Sequence, residues 1–236
     1  MLVITRPSVE IRRNALALAG VPHLALPLLY TRRVARLAAD DFAFAAGAHR
    51  HILVSRAAVA AALHFVSLHS CVAIGAATAA ALSDSGIVPD VVGLEDSEAL
   101  LELPVLKGVA GERIALWCAP GGRALLQHTL EQRGAQVRAI YAYRRVAQAP
   151  SAQTLAKLAQ HGGPFAVTAT SVALLNRWDE VSRGHPHWRR QTVLAASQRI
   201  AASARNLGFE TVVNVASASM AALAGAWRKL GYGSAA

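Results

Sequence analysis

The sequence predicts an α/β protein of two similar domains, each with a parallel sheet flanked by helices, and three observations predict it. Short apolar runs alternate with helical patterns along all 236 residues, which is typical of strands joined by crossover helices. The same order of elements occurs twice. Each copy closes on a Tyr and Arg-Arg stretch, at residues 28–34 and 140–146, about 112 residues apart, which indicates an internal duplication.

The first half opens with a strand over residues 2–4, and Pro7-Ser8 then begins a helix to about residue 19, because Pro sets a helical φ and Ser caps. A strand over 23–29 completes a right-handed βαβ unit. We expect next a helix over 34–46, a strand over 51–54, an Ala-rich helix from Ser55, a strand over 71–74, a helix from Gly75 to Gly86, a strand over 88–92 and a helix over 98–103.

The second half repeats this design from a strand at residues 113–118. Gly121-Gly122 follows, where the backbone can approach a ligand at a helix N-terminus, although the pattern matches no nucleotide-binding fingerprint. We expect next a strand over 136–143, a helix from Ser151, a strand over 165–168, a helix from Thr170-Ser171 to residue 178, a polar loop over 183–190, a strand over 193–196, a helix over 197–207, a strand over 210–213 and a helix over 217–230.

The composition predicts a well-cored, soluble, cytoplasmic protein, because 54% of residues are hydrophobic and 16% are charged. The N-terminus lacks the pattern of a secretory signal, and the apolar runs are too short for a membrane helix. Cys71 and Cys118 lie in apolar runs without CxxC spacing, so we expect two buried reduced thiols. The pairs His49/His51 and His185/His187 lack a third ligand at suitable spacing, so no metal site is expected.

The net charge of +10 predicts an electric field that attracts polyanions. Nucleic acid is the obvious polyanion, but the 24 basic residues are scattered without a Lys/Arg run, and 6% aromatic residues leave few stacking platforms. A polyanionic small molecule therefore suits the charge better, and we expect neither a nucleic-acid nor a membrane partner.

Several motifs, in this order and spacing, make the chain similar to the uroporphyrinogen-III synthase family over nearly its whole length. They are the opening strand with Thr5-Arg6-Pro7, residues 54–59 (Val-Ser-Arg-Ala-Ala-Val), residues 75–79 (Gly-Ala-Ala-Thr-Ala), Gly121-Gly122-Arg123, residues 134–137 (Gly-Ala-Gln-Val), Tyr143 and Thr170-Ser171. The chain departs from the family pattern at residues 197–201, where the second Gly-x-x-Thr-Ala reads Ser-Gln-Arg-Ile-Ala, and at Val54, where the family often has Thr.

The resemblance implies that the chain enters one domain, crosses to the other and returns. Domain 1 would be discontinuous, with residues 1–31 and 148–236, and domain 2 would hold residues 34–141. Residues 30–34 and 142–147 would form a two-stranded linker, with a ligand cleft between the domains. Ligands of open α/β sheets bind at the carboxyl ends of the strands.

The implied reaction is the cyclisation of hydroxymethylbilane, a linear tetrapyrrole with an acetate and a propionate on each ring. The bilane loses its hydroxyl as water, and the resulting azafulvene closes through a spiro intermediate that inverts ring D. Because the unassisted product is isomer I, the catalyst mainly has to position the chain. The implied reaction requires no metal or redox cofactor. A monomer is the default expectation because the fold needs no partner, and a transient contact with hydroxymethylbilane synthase is a further expectation.

The resemblance makes Tyr143 the candidate that assists departure of the hydroxyl. The alternative is that Tyr143 only packs against the linker. The candidate substrate-binding residues are Thr5, Arg6, Ser55, Arg56, Gly75, Thr78, Gly121, Gly122, Arg123, Thr170, Ser171 and Ser197. For each hydroxyl residue, helix capping alone is an open alternative. The three arginines favour an anionic ligand, because a cation at a helix N-terminus is otherwise unfavourable.

Two other functions remain open from the residues alone. A two-lobed module that binds or senses an anionic ligand without catalysis has the same architecture, but the sequence lacks an export signal. A nucleic-acid-binding protein would use the positive charge and would bind unrelated DNA or RNA in a salt-sensitive manner.

Overall fold

A computed structural model describes residues 1–93, 97–121 and 124–231. Its strands are β1 (Leu2–Ile4), β2 (His23–Ala25), β3 (Leu29–Arg33), β4 (Arg50–Leu53), β5 (Cys71–Ala73), β6 (Val91–Val92), β7 (Arg113–Trp117), β8 (Gln136–Ile140), β9 (Tyr143–Ala147), β10 (Ala166–Ala169), β11 (Thr192–Ala195) and β12 (Val212–Asn214). Its α-helices are α1 (Ser8–Arg13), α2 (Ala39–Ala46), α3 (Arg56–Phe65), α4 (Ala76–Ser83), α5 (Ser97–Glu102), α6 (Leu125–Gln132), α7 (Ala152–Gln160), α8 (Val172–Ser182), α9 (Pro186–Arg189), α10 (Gln198–Asn206) and α11 (Met220–Lys229). Two 3₁₀ turns cover Ala15–Leu18 and Pro104–Leu106.

The chain divides into two units. Unit 1 contains Met1–Tyr30 and Val146–Ala236, and unit 2 contains Thr31–Arg145. Unit 1 has a five-stranded sheet in the order β12-β11-β10-β1-β2, and unit 2 has one in the order β6-β5-β4-β7-β8. The strand pairs in both sheets are parallel. The predicted α/β class with two similar, helix-flanked parallel sheets is confirmed.

The two sheets have the same arrangement of strands, but the chain forms the strands of unit 1 and unit 2 in a different order. β1 and β2 of unit 1 correspond to β7 and β8 of unit 2, and β10, β11 and β12 correspond to β4, β5 and β6. The registers agree as well: Leu2 pairs with Ala166 in unit 1, and Ile114 pairs with Arg50 in unit 2. Residues can therefore be matched one to one at the edges of the two sheets.

Each sheet is buried on both faces, as expected for parallel strands. In unit 1, Val3 and Val167 pack with Trp178 of α8, while Leu2 and Leu194 pack on the other face with Trp227 of α11. In unit 2, Leu53 and Trp117 pack under the Ala-rich helices α3 and α4. On the opposite face of that sheet, Ile52, Ile114 and Leu116 pack against α5 and α6. Each unit therefore has its own two-sided core.

The two Tyr and Arg-Arg stretches form a separate two-stranded sheet of β3 and β9. Val34 N–H donates to the carbonyl of Ala142 over 3.0 Å, and Gln148 N–H donates to the carbonyl of Leu28 over 2.9 Å. The partner's residue number falls as that of the first strand rises, so the two strands run antiparallel.

Several predicted elements are shorter in the structure, for local reasons. The strand predicted over 23–29 is divided: β2 ends at Ala25, although Leu26 and Leu28 N–H still donate to the carbonyls of Ile4 and Thr5, and the chain resumes as β3. The strand predicted over 88–92 is reduced to Val91–Val92, with Asp90 N–H donating to the carbonyl of Cys71 just before it. The first helix ends at Arg13, where the Asn14 side chain donates to the carbonyl of Glu10 over 2.7 Å and a 3₁₀ turn follows.

Three further boundaries differ from the sequence prediction. The helix predicted over 34–46 begins only at Ala39, because Val34 still pairs with Ala142. The strand predicted over 136–143 is divided between β8 and β9. The predicted polar loop over 183–190 was wrong, because Pro186–Arg189 is a short helix with Trp188 buried. In the described part of the chain, no helix is long and apolar enough to cross a membrane.

Candidate functional site

Four helices begin directly after the carboxyl ends of parallel strands, two in each unit. Their first backbone N–H groups have no partner within the helix, so such an end favours an anion or an acceptor oxygen. In unit 2 the N-caps of α3 and α4 are Ser55 and Gly75, and in unit 1 those of α8 and α10 are Ser171 and Ser197. Four of the residues predicted to bind substrate therefore lie at equivalent strand-to-helix junctions.

The three serines cap their helices with their side chains. Ser55 Oγ accepts from Ala58 N–H over 3.1 Å, Ser171 Oγ from Leu174 N–H over 3.2 Å, and Ser197 Oγ from Ile200 N–H over 3.4 Å. Gly75 has no side chain to do this, so the junction before α4 relies on backbone groups. Capping occupies one acceptor position of each serine, and each hydroxyl keeps its hydrogen.

Tyr143 lies at the first of these junctions. Its phenol oxygen is 2.8 Å from Ser55 Oγ, and the tyrosine is only 2% exposed. Burial raises the pKa of Tyr143, against smaller lowering effects of the hydrogen bond with Ser55 and the charge of Arg145. The phenol therefore stays protonated near neutral pH and has a hydrogen to donate.

The corresponding edge of unit 1 is held together by polar contacts. Thr5 is fully buried, and its hydroxyl donates to the carbonyl of Thr168 over 2.6 Å. Arg6 Nε donates to Thr170 Oγ1 over 3.3 Å, and the same nitrogen lies 3.4 Å from a carboxylate oxygen of Glu10. The structure thus brings Arg6 and Thr170 together, whereas the contacts of Thr5 join β1 to β10.

A pocket of about 200 Å³ lies at the carboxyl edge of the unit 2 sheet. Val54, Ile74, Cys118 and Tyr141, which follow four neighbouring strands, contribute to its lining. Cys118 was predicted to be buried, but it is partly exposed here, while Cys71 is buried; neither forms a disulfide. Burial raises the pKa of both thiols to about 11, and Asp90 adds to the effect on Cys71, so both stay uncharged.

The remaining predicted residues have more limited descriptions. Arg56 is the first residue of α3 and is half-buried. Thr78 lies in the first turn of α4 with only 4% of its surface exposed. Gly121 has φ of +76° in a turn with open space around it, so its backbone conformation is what favours glycine there. Gly122 and Arg123 lie outside the described residues.

One feature escaped the sequence reasoning, which treated the two Arg-Arg pairs only as a repeat. Because Val34 pairs with Ala142, continuing the register of β3 and β9 sets Arg32 opposite Arg144. Arg32 and Arg144, like Arg33 and Arg145, are exposed. Like charges directly opposite each other repel, so this ribbon favours an anion. The repeated dipeptide was the signal that could have located it.

Histidines of both predicted pairs contact aromatic side chains of the protein. The His185 ring stacks on Trp188 with ring centres 3.8 Å apart, and His187 meets Phe165 edge-on. His51 is fully buried and accepts from the Trp117 indole N–H through Nδ1 over 3.1 Å. Within the described residues, no group of three His, Cys, Asp or Glu side chains is arranged to hold a metal ion.

A family model and two curated relatives point to the same family. Residues 13–225 match the family model "Uroporphyrinogen-III synthase HemD". A uroporphyrinogen-III synthase of Salmonella typhimurium is 36% identical over 121 residues, which are 50% of this chain and 49% of that protein. The one from Escherichia coli is 34% identical over 125 residues, with the same coverage. The chain thus spans about half the length of the curated relatives it matches.

Solved structures agree at the level of the fold. A mutant uroporphyrinogen III synthase from Thermus thermophilus superposes with a TM-score of 0.60 at 22% identity, covering 98% of both chains. A uroporphyrinogen-III synthetase from Helicobacter pylori superposes with a TM-score of 0.67 at 12% identity, covering 97% of this chain and 98% of that one. Because the family model covers most of the chain, the protein belongs to the uroporphyrinogen-III synthase family.

Proposed function

We propose that the chain cyclises hydroxymethylbilane to uroporphyrinogen III, releasing water and inverting ring D through a spiro intermediate, as a step of tetrapyrrole biosynthesis. The observation that carries the proposal is the match of residues 13–225 to the synthase family on a chain whose two parallel sheets reproduce the family's fold. The reaction and the substrate are inferred from that relationship, and the helix N-termini, Arg6 and the Tyr143–Ser55 pair are chemically suited to them.

The substrate is a polycarboxylate, and the chain offers several ways to hold carboxylates. The helix N-termini at Ser55, Gly75, Ser171 and Ser197 present backbone N–H groups, which bind anions without a side-chain charge. Arg6, held against Thr170, adds a cation at the edge of the unit 1 sheet. The net charge of +10 favours association with a polyanion from a distance.

The chemistry requires positioning more than strong acid–base catalysis. Without a protein the bilane closes to isomer I, so the protein must hold the folded chain with the substituted carbon of ring D facing the azafulvene. Fixed groups on helix ends suit this task, because they do not reorganise during the reaction. The protonated hydroxyl pair of Tyr143 and Ser55 can assist departure of the substrate hydroxyl.

The pocket at the edge of the unit 2 sheet suits a different part of the ligand. Its lining by Val54, Ile74 and Cys118 is largely apolar, and the cysteine stays an uncharged thiol. We assign it to the face of a pyrrole ring, with the carboxylates directed to the helix ends. The proposal also includes a monomeric, cytoplasmic enzyme that makes only transient contact with hydroxymethylbilane synthase, since each unit has its own core and needs no second copy to fold.

The test generates hydroxymethylbilane in situ, adds the protein, oxidises the products and separates the uroporphyrin isomers by chromatography. We expect isomer III to replace the isomer I of a no-protein control. If folded protein, checked by circular dichroism, yields isomer I alone, the proposal is wrong. Retained binding of the bilane in that case would identify a binding module without catalysis.

A further inference from the structure

The hydroxyls of Ser55 and Tyr143 have two hydrogens between them, and only one can lie in the bond that joins them. The oxygens are 2.8 Å apart, and either one can be the donor in this bond. Ser55 Oγ also accepts from Ala58 N–H over 3.1 Å. Whichever way the shared bond runs, one hydroxyl hydrogen is left for a third partner. The identity of that hydrogen decides which residue can act on a substrate.

Two arguments assign the remaining hydrogen to Ser55. A phenol is a much stronger acid than an alcohol, so Tyr143 is the better donor in the shared bond. Tyr143 is 2% exposed whereas Ser55 is half-buried, so the serine is the more accessible of the two.

These contacts form a directed chain of hydrogen bonds. It runs from the phenol hydrogen of Tyr143 to Ser55 Oγ and ends at the Ser55 hydroxyl hydrogen. Each bond in such a chain polarises the next, so the last hydrogen becomes a better donor than that of an isolated serine. The contact from Ala58 N–H adds to this polarisation and fixes the oxygen.

We propose that Ser55 is the residue that donates a proton to the departing hydroxyl of the bilane, and that Tyr143 acts through Ser55 instead of touching the substrate. The inference rests on the proposed function. It changes the roles expected from the family resemblance, in which Tyr143 assists the departure itself and Ser55 only binds.

The step balances within the groups named. Ser55 Oγ–H gives its proton to the substrate hydroxyl, the carbon–oxygen bond breaks with its electron pair going to oxygen, and water leaves. The lone pair of the pyrrole nitrogen forms the new double bond, while Ser55 takes the phenol proton of Tyr143. The N–H proton of the resulting cation then returns through Ser55 to the phenolate, which leaves a neutral azafulvene and the protein unchanged.

A double-mutant cycle tests the relay. Ser55→Ala, Tyr143→Phe and the double variant are compared with wild type by the rate of isomer III formation at several bilane concentrations. We expect each single variant to lose about 100-fold in kcat with little change in KM, and the double variant to lose no more than either single one. Ser55→Thr, which keeps a hydroxyl, should recover most of the rate.

Controls separate this role from helix capping. Ser151 caps α7 in the same way, with Oγ accepting from Thr154 N–H over 3.1 Å, so Ser151→Ala should lose a similar amount of stability and keep wild-type kcat. Ser55→Gly, which costs a helix N-cap only a few tenths of a kcal/mol, replaces Ser55→Ala should the alanine variant fail to fold.

The outcomes are distinct. A large loss for Tyr143→Phe with little loss for Ser55→Ala would make Tyr143 the direct donor and overturn the relay. Losses that multiply in the double variant would also overturn it, because the two groups would then act independently. Wild-type protein that yields only isomer I contradicts the proposed function itself, and the relay with it.

Discussion

The two units repeat one backbone design but place opposite chemistry at equivalent positions. By the matched registers, Arg6 and Thr170 of unit 1 correspond to Cys118 and Val54 of unit 2. In unit 1 these positions carry a hydrogen-bonded cation, and in unit 2 they line a largely apolar pocket. The two sheets offer equivalent edges, and the side chains at those edges differ in polarity.

The cores differ in the same manner. Unit 1 buries a charge: Asp179, 4% exposed, accepts from the guanidinium groups of Arg183 and Arg189. Unit 2 instead buries a neutral histidine, His51, which is bonded to Trp117. An ionised pair and a neutral imidazole respond differently to mutation and to acid. The units should therefore be distinguishable by stability measurements that do not depend on any assigned function.

The largest effect is expected from Asp179→Ala in unit 1. The change leaves Arg189, whose side chain is 26% exposed, without the carboxylate that neutralises it, and breaking such a pair costs about 3–5 kcal/mol. Arg183, 70% exposed, should contribute little, so Arg183→Ala is the matched control. Urea denaturation gives the free energies, and hydrogen exchange should place the lost protection in β10 and β11. Equal costs for the two variants would contradict this account.

Acid should distinguish the units next. Burial, and then the charge of His69, lowers the pKa of His51 to about 4. A histidine whose folded pKa lies below its unfolded value of 6.5 stabilises the fold fully above pH 6.5 and loses that contribution as the pH falls toward 4. At pH 5 the loss is about 2 kcal/mol. Protonation of Nδ1 would also break the bond from Trp117.

The contribution of Asp179 to stability is lost at a lower pH than that of His51. Burial acts to raise its pKa, but the hydrogen bonds and charges of Arg189 and Arg183 outweigh this, and the pKa is lowered. Its contribution is present above the unfolded value of 3.8 and is lost only below it. Between pH 6.5 and 4, unit 2 should therefore weaken while unit 1 keeps its ion pair. Urea denaturation at pH 7 and pH 5 measures the change in the free energy of unfolding between these pH values. His51→Gln should remove most of that change. If the variant shows the same change as wild type, His51 is not its source.

The sequence was sufficient for features that depend on local pattern. Strand positions, capping serines and helix-ending glycines follow from short-range rules, and the duplication was visible in the repeated Tyr and Arg-Arg stretches. What it could not give were contacts between distant residues. The bond between Ser55 and Tyr143 joins residues 88 positions apart, and the clustering of Arg183 and Arg189 on Asp179 depends on the short helix α9, which a polar, His-rich composition concealed.

The smallest predicted loss of stability comes from replacing the glycines that follow α4 and α10, and it should be equal in the two units. Gly86 and Gly208 follow the equivalent helices α4 and α10 with φ of +78° and +83°. In both places the next N–H donates back into the helix, from Ile87 to Leu82 and from Phe209 to Ala204. A non-glycine residue at positive φ costs about 1 kcal/mol, so Gly86→Ala and Gly208→Ala should each cost that amount.

Space around the two glycines does not distinguish them. An added Cβ meets nothing within 4 Å at Gly86, and at Gly208 the nearest atom is a guanidinium nitrogen of Arg189 at 3.9 Å, which is ordinary contact. Asn tolerates the left-handed conformation, so Gly→Asn should cost less than Gly→Ala at both sites. Urea denaturation of the four variants checks this. Unequal alanine costs would mean that packing around the helix ends, and not the shared backbone geometry, determines these positions, and that the units have diverged in their turns as well as at their edges.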